Sequence, residues 1–258
     1  MKNCILKTVL LCAFFVFYSC ENKKNKPNID SNKAGVVLSF DDAYVNEWFD
    51  ADKKLSKYKW KATFCVSKIN TLDESEIAKL QKLQSEGHEI AGHGLHHYNA
   101  VKFIEKFGIK EYVKQEIDPM LVLMKSHKLH VSSFAYPEGK RSQALDNALF
   151  NNFKIIRGRS FGGEIPSKQS CFFRKSKIEF GFDIDNNHIN FSIPYLIKLL
   201  DYAKKNNKIL ILCSHKTVDT VTANYQTKVE TLEFICQYMK RNNMKFYTLS
   251  DLNKFNEK

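Results

Sequence analysis

Residues 36–42 read Val-Val-Leu-Ser-Phe-Asp-Asp, a short run of apolar and β-branched residues that stops at two adjacent carboxylates. Six more runs of similar composition follow, at 62–66, 89–91, 131–136, 153–156, 209–213 and 245–248. Longer segments with helical spacing of apolar residues lie between most of them, for example 109–124 and 229–239. Because strands that alternate with helices form parallel sheets, this pattern predicts an α/β fold.

Seven strands in this order favour a (β/α) barrel, complete or incomplete, over a doubly wound sheet. No G-x-G-x-x-G motif follows the first strand, so dinucleotide binding loses its main support. In parallel barrels the chemistry collects where strands end. The candidate residues are therefore the polar ones at the predicted strand ends: Asp41, Asp42, His93, His97, Tyr136, Glu138, Arg157, Arg159 and His215.

The composition is that of an ordinary globular protein. The 258 residues are 43% hydrophobic and 26% charged, which excludes collagen-like and disordered classes. Lys and Arg number 40 against 28 acidic residues, a net charge of +12 that favours weak attraction to anionic polymers or membrane surfaces. The basic residues are spread along the chain without a nucleic-acid-binding motif, so no nucleic-acid partner is expected.

The first twenty residues predict a signal peptide. Lys2 and Lys7 precede an apolar run at Val9–Tyr18, which is too short for a transmembrane helix of about 20 residues. The run ends at Ser19-Cys20, and Cys20 resembles the acylated cysteine of bacterial lipoproteins. We therefore expect export to the cell envelope and a lipid anchor on the membrane, with plain secretion as the alternative.

Beyond the leader, residues 21–34 hold almost nothing apolar and predict a flexible linker. Residues 35–258 show no further linker or repeat, so they are expected to form one domain, as a monomer. Four cysteines remain there without a C-x-x-C pair. Cys65 and Cys213 lie in apolar runs and are expected to be buried, although one or two disulfides stay open.

Three of the candidates have metal-ligand character. His93 and His97 are four residues apart, the spacing that places two imidazoles on one face of a helical turn. Asp42 would complete a set of two histidines and one carboxylate with positions left for water and substrate. Alternatively, the pair Asp41-Asp42 begins a turn or caps the next helix. Gly94 follows His93, so the His-Glu-x-x-His pattern of zinc proteases is absent.

Four motifs follow one another along the chain. They are Ser-Phe-Asp-Asp at 39–42, Gly-His-Glu-Ile-Ala-Gly-His-Gly-Leu-His-His at 87–97, Phe-Ala-Tyr-Pro-Glu-Gly at 134–139, and an apolar strand ending at His215. This order resembles the polysaccharide deacetylases, the NodB-homology family, over essentially all of residues 35–258. The resemblance implies an irregular (β/α)7-8 barrel that removes N-acetyl or O-acetyl groups from sugars with the help of a divalent metal.

By the same resemblance, Asp42, His93 and His97 hold the cation, most commonly Zn2+, and the metal-bound water is the nucleophile. Asp41 is the general base, and His215 is the general acid that protonates the leaving amine. A backbone N–H in the turn 136–139, which contains Tyr136 and Glu138, supports the developing oxyanion.

The chain departs from the family pattern at two supporting positions. Ala135 stands where many members carry an arginine that orients the base, and Glu138 stands where a tyrosine is usual. We hypothesise that Arg157 or Arg159 replaces the missing guanidinium. A carboxylate would oppose an oxyanion, so the Glu138 side chain is expected to point away from the site.

The sequence thus predicts a hydrolase that acts on carbon–nitrogen bonds other than peptide bonds, with an acetylated glycan as substrate. Two alternatives remain. Ala135 and Glu138 motivate a carbohydrate-binding lipoprotein that has lost turnover, and the same site would also serve an amidase for small non-sugar amides.

Overall fold

The computed structural model describes residues 33–256. The predicted signal peptide 1–20, with Cys20, and the predicted linker up to residue 32 lie outside the described residues. Ala34, the last residue of that linker, is held by the domain, because its N–H donates to Asn207 Oδ1 over 2.7 Å. Among residues 33–256, no helix combines the length and the apolar character needed to cross a membrane.

Ten strands are present in the described part of the chain. They are β1 (Gly35–Asp42), β2 (Thr63–Val66), β3 (Glu89–Gly92), β4 (Ser133–Ala135), β5 (Ile155–Ser160), β6 (Ile178–Asp183), β7 (Ile209–Ser214), β8 (Lys216–Val218), β9 (Gln226–Lys228) and β10 (Lys245–Tyr247). The first seven and β10 form one parallel sheet, and β8 pairs with β9 separately.

Strand β1 closes the sheet into a barrel because both of its edges are paired. One edge runs in register with β7 over six residues. On the other edge, the last four residues of β1 pair with β2 and the first three pair with β10. Strand β10 therefore occupies the space beside the start of β1 that the shorter β2 leaves open.

Helices cover the outside of this barrel. They are α1 (Val45–Leu55), α2 (Glu74–Ser85), α3 (Ala100–Phe107), α4 (Ile109–Tyr112), α5 (Asp118–Ser126), α6 (Gln143–Leu149), α7 (Ile193–Lys205), α8 (Val229–Arg241) and α9 (Leu249–Asn253). One π-helical turn, Val113–Ile117, joins α4 to α5. Short 3-10 turns lie at Ser56–Tyr58, Ile69–Thr71, Pro137–Gly139 and Pro166–Lys168.

Helix α7 shows how local sequence starts these elements. The Ser192 hydroxyl accepts a hydrogen bond from the N–H of Tyr195, and Pro194 lies in the first turn. Both features satisfy or remove N–H groups that a helix start leaves without partners. Leu196, Leu199, Leu200 and Ala203 are buried, so the apolar stripe of the helix packs against the rest of the domain.

The predicted barrel is confirmed, and each of the seven predicted strands is present. The prediction misses β6, in which apolar residues alternate with Glu179, Gly181 and Asp183. It also ends the fifth strand at residue 156, whereas β5 continues to Ser160 and carries Arg157 and Arg159 within it. These charged side chains all have partners, since Arg157 pairs with Asp41 of β1, Arg159 pairs with Asp183 of β6, and Glu179 accepts hydrogen bonds from the N–H groups of Arg174 and Ser176.

Small side chains lie beside Asp41 and Arg157 on the neighbouring strands. Cys65 is in register with Asp41, and Ala135 is in register with Arg157, so each pair lies on one side of the sheet. The four cysteines within residues 33–256 are all buried and free. The absence of bulk at Cys65 and Ala135 leaves room for the long Arg157 side chain.

Candidate active site

The carboxyl ends of the parallel strands bring polar side chains together at one end of the barrel. An open cavity of about 260 Å³ is lined there by Asp41, Asp42, His93, His97, Glu138, Arg159, His215 and Tyr225. All of these except Tyr225 are candidates from the sequence. The two remaining candidates, Arg157 and Tyr136, are buried and do not line the cavity.

Asp42, His93 and His97 direct donor atoms at one small volume. Asp42 Oδ1 lies 3.2 Å from His97 Nε2 and 3.7 Å from His93 Nε2. One donor atom from each residue lies within 4.8 Å of the other two. Ligands bound at about 2.1 Å to one ion lie roughly 3–4 Å apart, so this set of two nitrogens and one oxygen fits zinc or a similar divalent ion.

The His93 ring has the tautomer that a ligand needs. Its Nδ1 lies 2.8 Å from the carbonyl oxygen of Ala135 and donates its proton there, which leaves the lone pair of Nε2 free. Burial is the main cause that lowers the pKa of His93, to about 4, so the ring is neutral at physiological pH. A neutral imidazole is the form that binds metals.

The two histidines do not lie on a helical turn, which corrects the expectation from their spacing. Residues 93–99 form a loop between β3 and α3. Gly94 at φ 82° and His97 at φ 63° both have left-handed backbone, which a right-handed helix excludes. The two rings nevertheless meet edge to face, with centroids 4.9 Å apart. The path of the loop brings them together.

The Asp41-Asp42 pair does not cap the next helix. The N-cap residue of α1 is Tyr44, and no side chain makes a capping hydrogen bond there. Asp42 has a positive φ of 86°, which turns the chain sharply at the end of β1. The two neighbouring carboxylates consequently serve different partners, since Asp42 faces the histidines and Asp41 faces Arg157.

Asp41 and Arg157 form a buried ion pair beside the ligand set. Arg157 Nη2 lies 2.5 and 2.6 Å from the two carboxylate oxygens of Asp41. Burial by itself would raise the pKa of Asp41, but the charge and hydrogen bonds of Arg157, together with the charge of His215, outweigh it and hold that pKa well below the ordinary value. The Asp41 carboxylate is therefore ionised at neutral pH.

Arg159 makes a different ion pair. Its Nη2 lies 2.5 Å from Asp183 Oδ2, and its side chain borders the cavity. Of the two arginines considered as replacements for the missing guanidinium, only Arg157 is bonded to Asp41 in the structure.

His215 follows β7, and both its ring and its backbone are held by hydrogen bonds. Its Nδ1 lies 2.5 Å from Asp185 Oδ2, and its backbone N–H donates to Asp185 Oδ1 over 3.2 Å. The indole N–H of Trp48, in α1, donates to the carbonyl oxygen of His215 over 2.9 Å. Burial lowers the pKa of His215, but the hydrogen bond and charge of Asp185 dominate and raise it to about 9. The imidazole is thus protonated at neutral pH.

The Tyr136 side chain is buried away from the cavity, and the Glu138 side chain differs from the expectation that it points away from the site. The buried Tyr136 hydroxyl donates to Asp146 Oδ1 over 2.8 Å, so this side chain belongs to the core. The Glu138 side chain lines the cavity instead of pointing away from it. Its Oε2 accepts a hydrogen bond from Asn99 Nδ2 over 2.6 Å, which draws the carboxylate toward the start of α3.

Sequence reasoning missed Asp183, Asp185 and Tyr225. The two aspartates pair with Arg159 and His215, and the Tyr225 ring meets His215 edge to face with centroids 5.0 Å apart. A signal for Asp183 does exist, because the alternating run 178–183 ends in a carboxylate as β1 does. No comparable pattern marks Tyr225, which lies in an irregular loop before β9.

The comparison with family models gives one match. The model described as polysaccharide deacetylase covers residues 28–152, a range that includes Asp41, Asp42, His93 and His97. No curated protein matches the chain.

Several solved structures share the fold. A family 4 acetyl xylan esterase from Clostridium thermocellum, in complex with a cobalt ion, is 23% identical, covers 85% of this chain and 90% of its own, and has a TM-score of 0.54. The peptidoglycan deacetylase PdaC from Bacillus subtilis is 17% identical, with 89% and 94% covered and a TM-score of 0.51. The Xyl-CE4 domain of a xylanase from the hindgut metagenome of Trinervitermes trinervoides is 18% identical, with 86% and 91% covered and a TM-score of 0.53.

Proposed function

We propose that this chain is a polysaccharide deacetylase that removes N-acetyl groups from the amino sugars of a polysaccharide, since the polysaccharide deacetylase model matches its residues 28–152. The observation that carries the proposal is the convergence of three ligand-type side chains between an ionised carboxylate, Asp41, and a protonated imidazole, His215. Two structural relatives are named for acetylated xylan and for peptidoglycan, which supports a polymeric glycan as substrate.

Asp42, His93 and His97 are the proposed metal ligands. The spacing of their donor atoms and the His93 tautomer support this role. Zn2+ is the expected ion, since it prefers nitrogen and oxygen donors in a site with an open position. When bound, a divalent cation polarises the acetyl carbonyl and makes water more acidic.

Asp41 is the proposed general base. Its carboxylate borders the cavity and accepts the proton of the attacking water. Arg157 keeps this carboxylate ionised and fixes its orientation by bonding both oxygens. The guanidinium on β5 thus takes the supporting role that Ala135, on β4, cannot supply.

His215 is the proposed general acid. Its Nδ1 is engaged by Asp185, so the opposite ring nitrogen, Nε2, is the one that can donate a proton. That proton goes to the amine nitrogen as the bond between nitrogen and the acetyl carbon breaks, which releases acetate and a free amino sugar.

Arg159 and the backbone N–H of Glu138 are the proposed substrate and oxyanion contacts. Arg159 borders the cavity, and Glu138 lies at its rim in the turn after β4. The Glu138 carboxylate also lines the cavity, where the hydrogen bond from Asn99 offsets part of its repulsion of an oxyanion.

The proposal is tested by measuring acetate release from N-acetylglucosamine oligomers, with acetyl xylan as the O-acetyl comparison. We expect release that chelation abolishes and that added Zn2+ or Co2+ restores. Asp41→Asn should abolish it, whereas Asp50→Asn, an exposed carboxylate on α1, should not. Metal-loaded protein that releases no acetate from either substrate, or Asp41→Asn with wild-type activity, would refute the proposal.

The same experiment separates the non-enzymatic alternative. A carbohydrate-binding protein without turnover would bind the oligomers without releasing acetate, and neither chelator nor His93→Ala would weaken that binding.

A further inference from the structure

We propose that Glu116 is a positioning residue for the metal site. Its buried carboxylate holds the loop 94–98, which carries His97, in the shape that brings His97 to Asp42 and His93. The inference rests on the proposed function, since it concerns the cation that this function requires.

Glu116 bonds the loop at several points. Its Oε1 accepts a hydrogen bond from the N–H of His96 over 2.8 Å and lies 2.7 Å from His96 Nδ1. Its Oε2 accepts from the N–H of Tyr98 over 3.4 Å, and its backbone carbonyl accepts from the N–H of Leu95 over 3.1 Å. The residues directly before and after His97 are therefore both tied to one carboxylate.

The loop needs this support because its backbone is strained at the ligand itself. His97 has φ 63°, a left-handed conformation that is less favourable than the right-handed one for a residue with a side chain. The loop has no regular secondary structure to hold that conformation. The bonds on either side of His97 supply the restraint.

Glu116 is placed for this task by an irregular turn of helix. It lies in the π-helical turn Val113–Ile117, directly before the sequence Asp118-Pro119. Pro119 lacks the N–H that an α-helix would donate to the carbonyl of Gln115, which favours a local departure from α-helical bonding. The Glu116 side chain is fully buried, so its carboxylate oxygens need the hydrogen bonds that the loop donates.

The close contact between carboxylate and loop also explains Gly94. A Cβ on residue 94 would lie 2.4 Å from Glu116 Oε2, and the φ of 82° is unfavourable for any residue with a side chain. The glycine that follows the first ligand histidine thus lets the loop pass directly over the carboxylate.

The test compares two buried glutamates in the full-length chain. Glu116→Gln keeps the shape of the side chain but removes its charge. Glu89→Gln is the matched control, because Glu89 is also buried and accepts bonds from Ser133 over 2.6 Å and Thr63 over 2.9 Å. Co2+ affinity is measured by competition with a chromophoric chelator, and the ligand geometry by the visible absorption spectrum of bound Co2+.

We expect Glu116→Gln to weaken Co2+ binding by about 10-fold or more and to change the spectrum, as loss of a residue that orients ligands does. Glu89→Gln should leave both unchanged. Wild-type Co2+ affinity and spectrum in Glu116→Gln, or an equal loss in both variants, would overturn the inference alone. Wild-type protein that binds no Co2+ would overturn the metal-dependent function and the inference together.

Gly94→Ala provides a second route if Glu116→Gln does not fold. The added methyl group pushes the loop away from an intact Glu116, so the same loss of Co2+ affinity is expected. Unchanged affinity and spectrum in a folded Gly94→Ala variant would contradict the inference.

Discussion

Two buried pairs of opposite charge give the individual site residues their chemistry. Arg157 keeps Asp41 ionised despite its burial, and Asp185 keeps His215 protonated despite its burial. An ionised carboxylate and a protonated imidazole therefore coexist at one cavity at neutral pH, as the proposed acetyl hydrolysis requires.

The His215–Asp185 pair predicts an alkaline limit to activity. The pKa of His215 is about 9, above the ordinary histidine value, so the proton donor is present at neutral pH and is lost as the pH rises through 9. In Asp185→Asn the charge that raises this pKa is gone, and the alkaline limb of kcat/KM should move toward lower pH. We also expect kcat at pH 7 to fall by about 100-fold.

The measurement is a pH–rate profile of wild type, Asp185→Asn and Asp219→Asn, the last being an exposed carboxylate paired with Lys54. Asp219→Asn should retain the wild-type profile. An unchanged alkaline limb in Asp185→Asn would show that His215 is not the acid under this control.

The Asp41–Arg157 pair predicts that substitutions of Arg157 and Arg159 differ in effect. Arg157→Ala leaves a buried carboxylate without its partner, which should lower the free energy of unfolding by about 3–5 kcal/mol. It should also lower kcat by about 100-fold, because the base loses its orientation. Arg159→Ala leaves Arg157 on Asp41 and should change KM more than kcat.

Steady-state kinetics and urea unfolding of both variants check this prediction. Replacing both partners, as in Asp41→Asn with Arg157→Met, should recover stability relative to Arg157→Ala but not activity. Equal kcat in Arg157→Ala and wild type would contradict the assigned role.

At the scale of elements, two adjacent strands supply the supporting charges. Strand β5 carries Arg157 and Arg159 two residues apart, so both point to the same side of the sheet. Strand β6 runs parallel to it and ends in Asp183. Alternation along β6 places Gly181 where the Arg157 side chain crosses the barrel.

This packing predicts a specific effect of Gly181→Ala. A Cβ there would lie 3.2 Å from Arg157 Cδ and 3.2 Å from Cys213 Cβ, so the arginine must shift away from Asp41. We expect a loss of about 1–3 kcal/mol in stability, as for other overpacked sites. The larger effect should be on kcat, with Co2+ affinity unchanged.

Gly158→Ala is the control for that variant. Its Cβ would be equally tight, 3.2 Å from Phe180, but it lies on the other side of β5 from Arg157. Kinetics, Co2+ titration and urea unfolding should show similar stability losses in both variants and a kcat defect only in Gly181→Ala. A kcat defect of equal size in Gly158→Ala would contradict the explanation.

At the scale of the whole molecule, parallel strands from distant parts of the chain end at one place. Asp41 and His215 are 174 positions apart in sequence, yet both border the same cavity. The opposite ends of the strands hold a separate polar cluster around Glu89, which bonds Thr63, Ser133 and the N–H of Ser250. The candidate active site and the hydrogen-bond network of Glu89 thus lie at opposite ends of one barrel.

The predicted signal peptide with Cys20 predicts that the protein is anchored to a membrane. If Cys20 is acylated, bacterial expression should place the protein in the membrane fraction, and metabolic labelling with a fatty acid should mark it. Cys20→Ser should lose the label and leave the membrane fraction, while Cys12→Ser should keep both. Labelled Cys20→Ser protein would exclude this anchor, and unlabelled wild-type protein in the medium would indicate plain secretion.

Local patterns in the chain suffice for the barrel and for most of the cavity lining. Alternation of strand-like and helix-like segments predicts the parallel sheet. Polar residues at the ends of strands, such as Asp42, His93 and His215, meet at its carboxyl edge because parallel strands all end there. The barrel and the residues at its carboxyl edge can therefore be predicted from short-range periodicity along the chain.

Which side chains pair with one another in the site was decided only by the tertiary structure. The sequence does not distinguish the roles of Arg157 and Arg159. The structure shows that Arg157 pairs with Asp41 and that Arg159 pairs with Asp183. Asp185 and Glu116 have no local signature, since each acts on a residue at least 20 positions away. Interactions of this kind depend on distances across the fold, which no spacing along a single segment encodes.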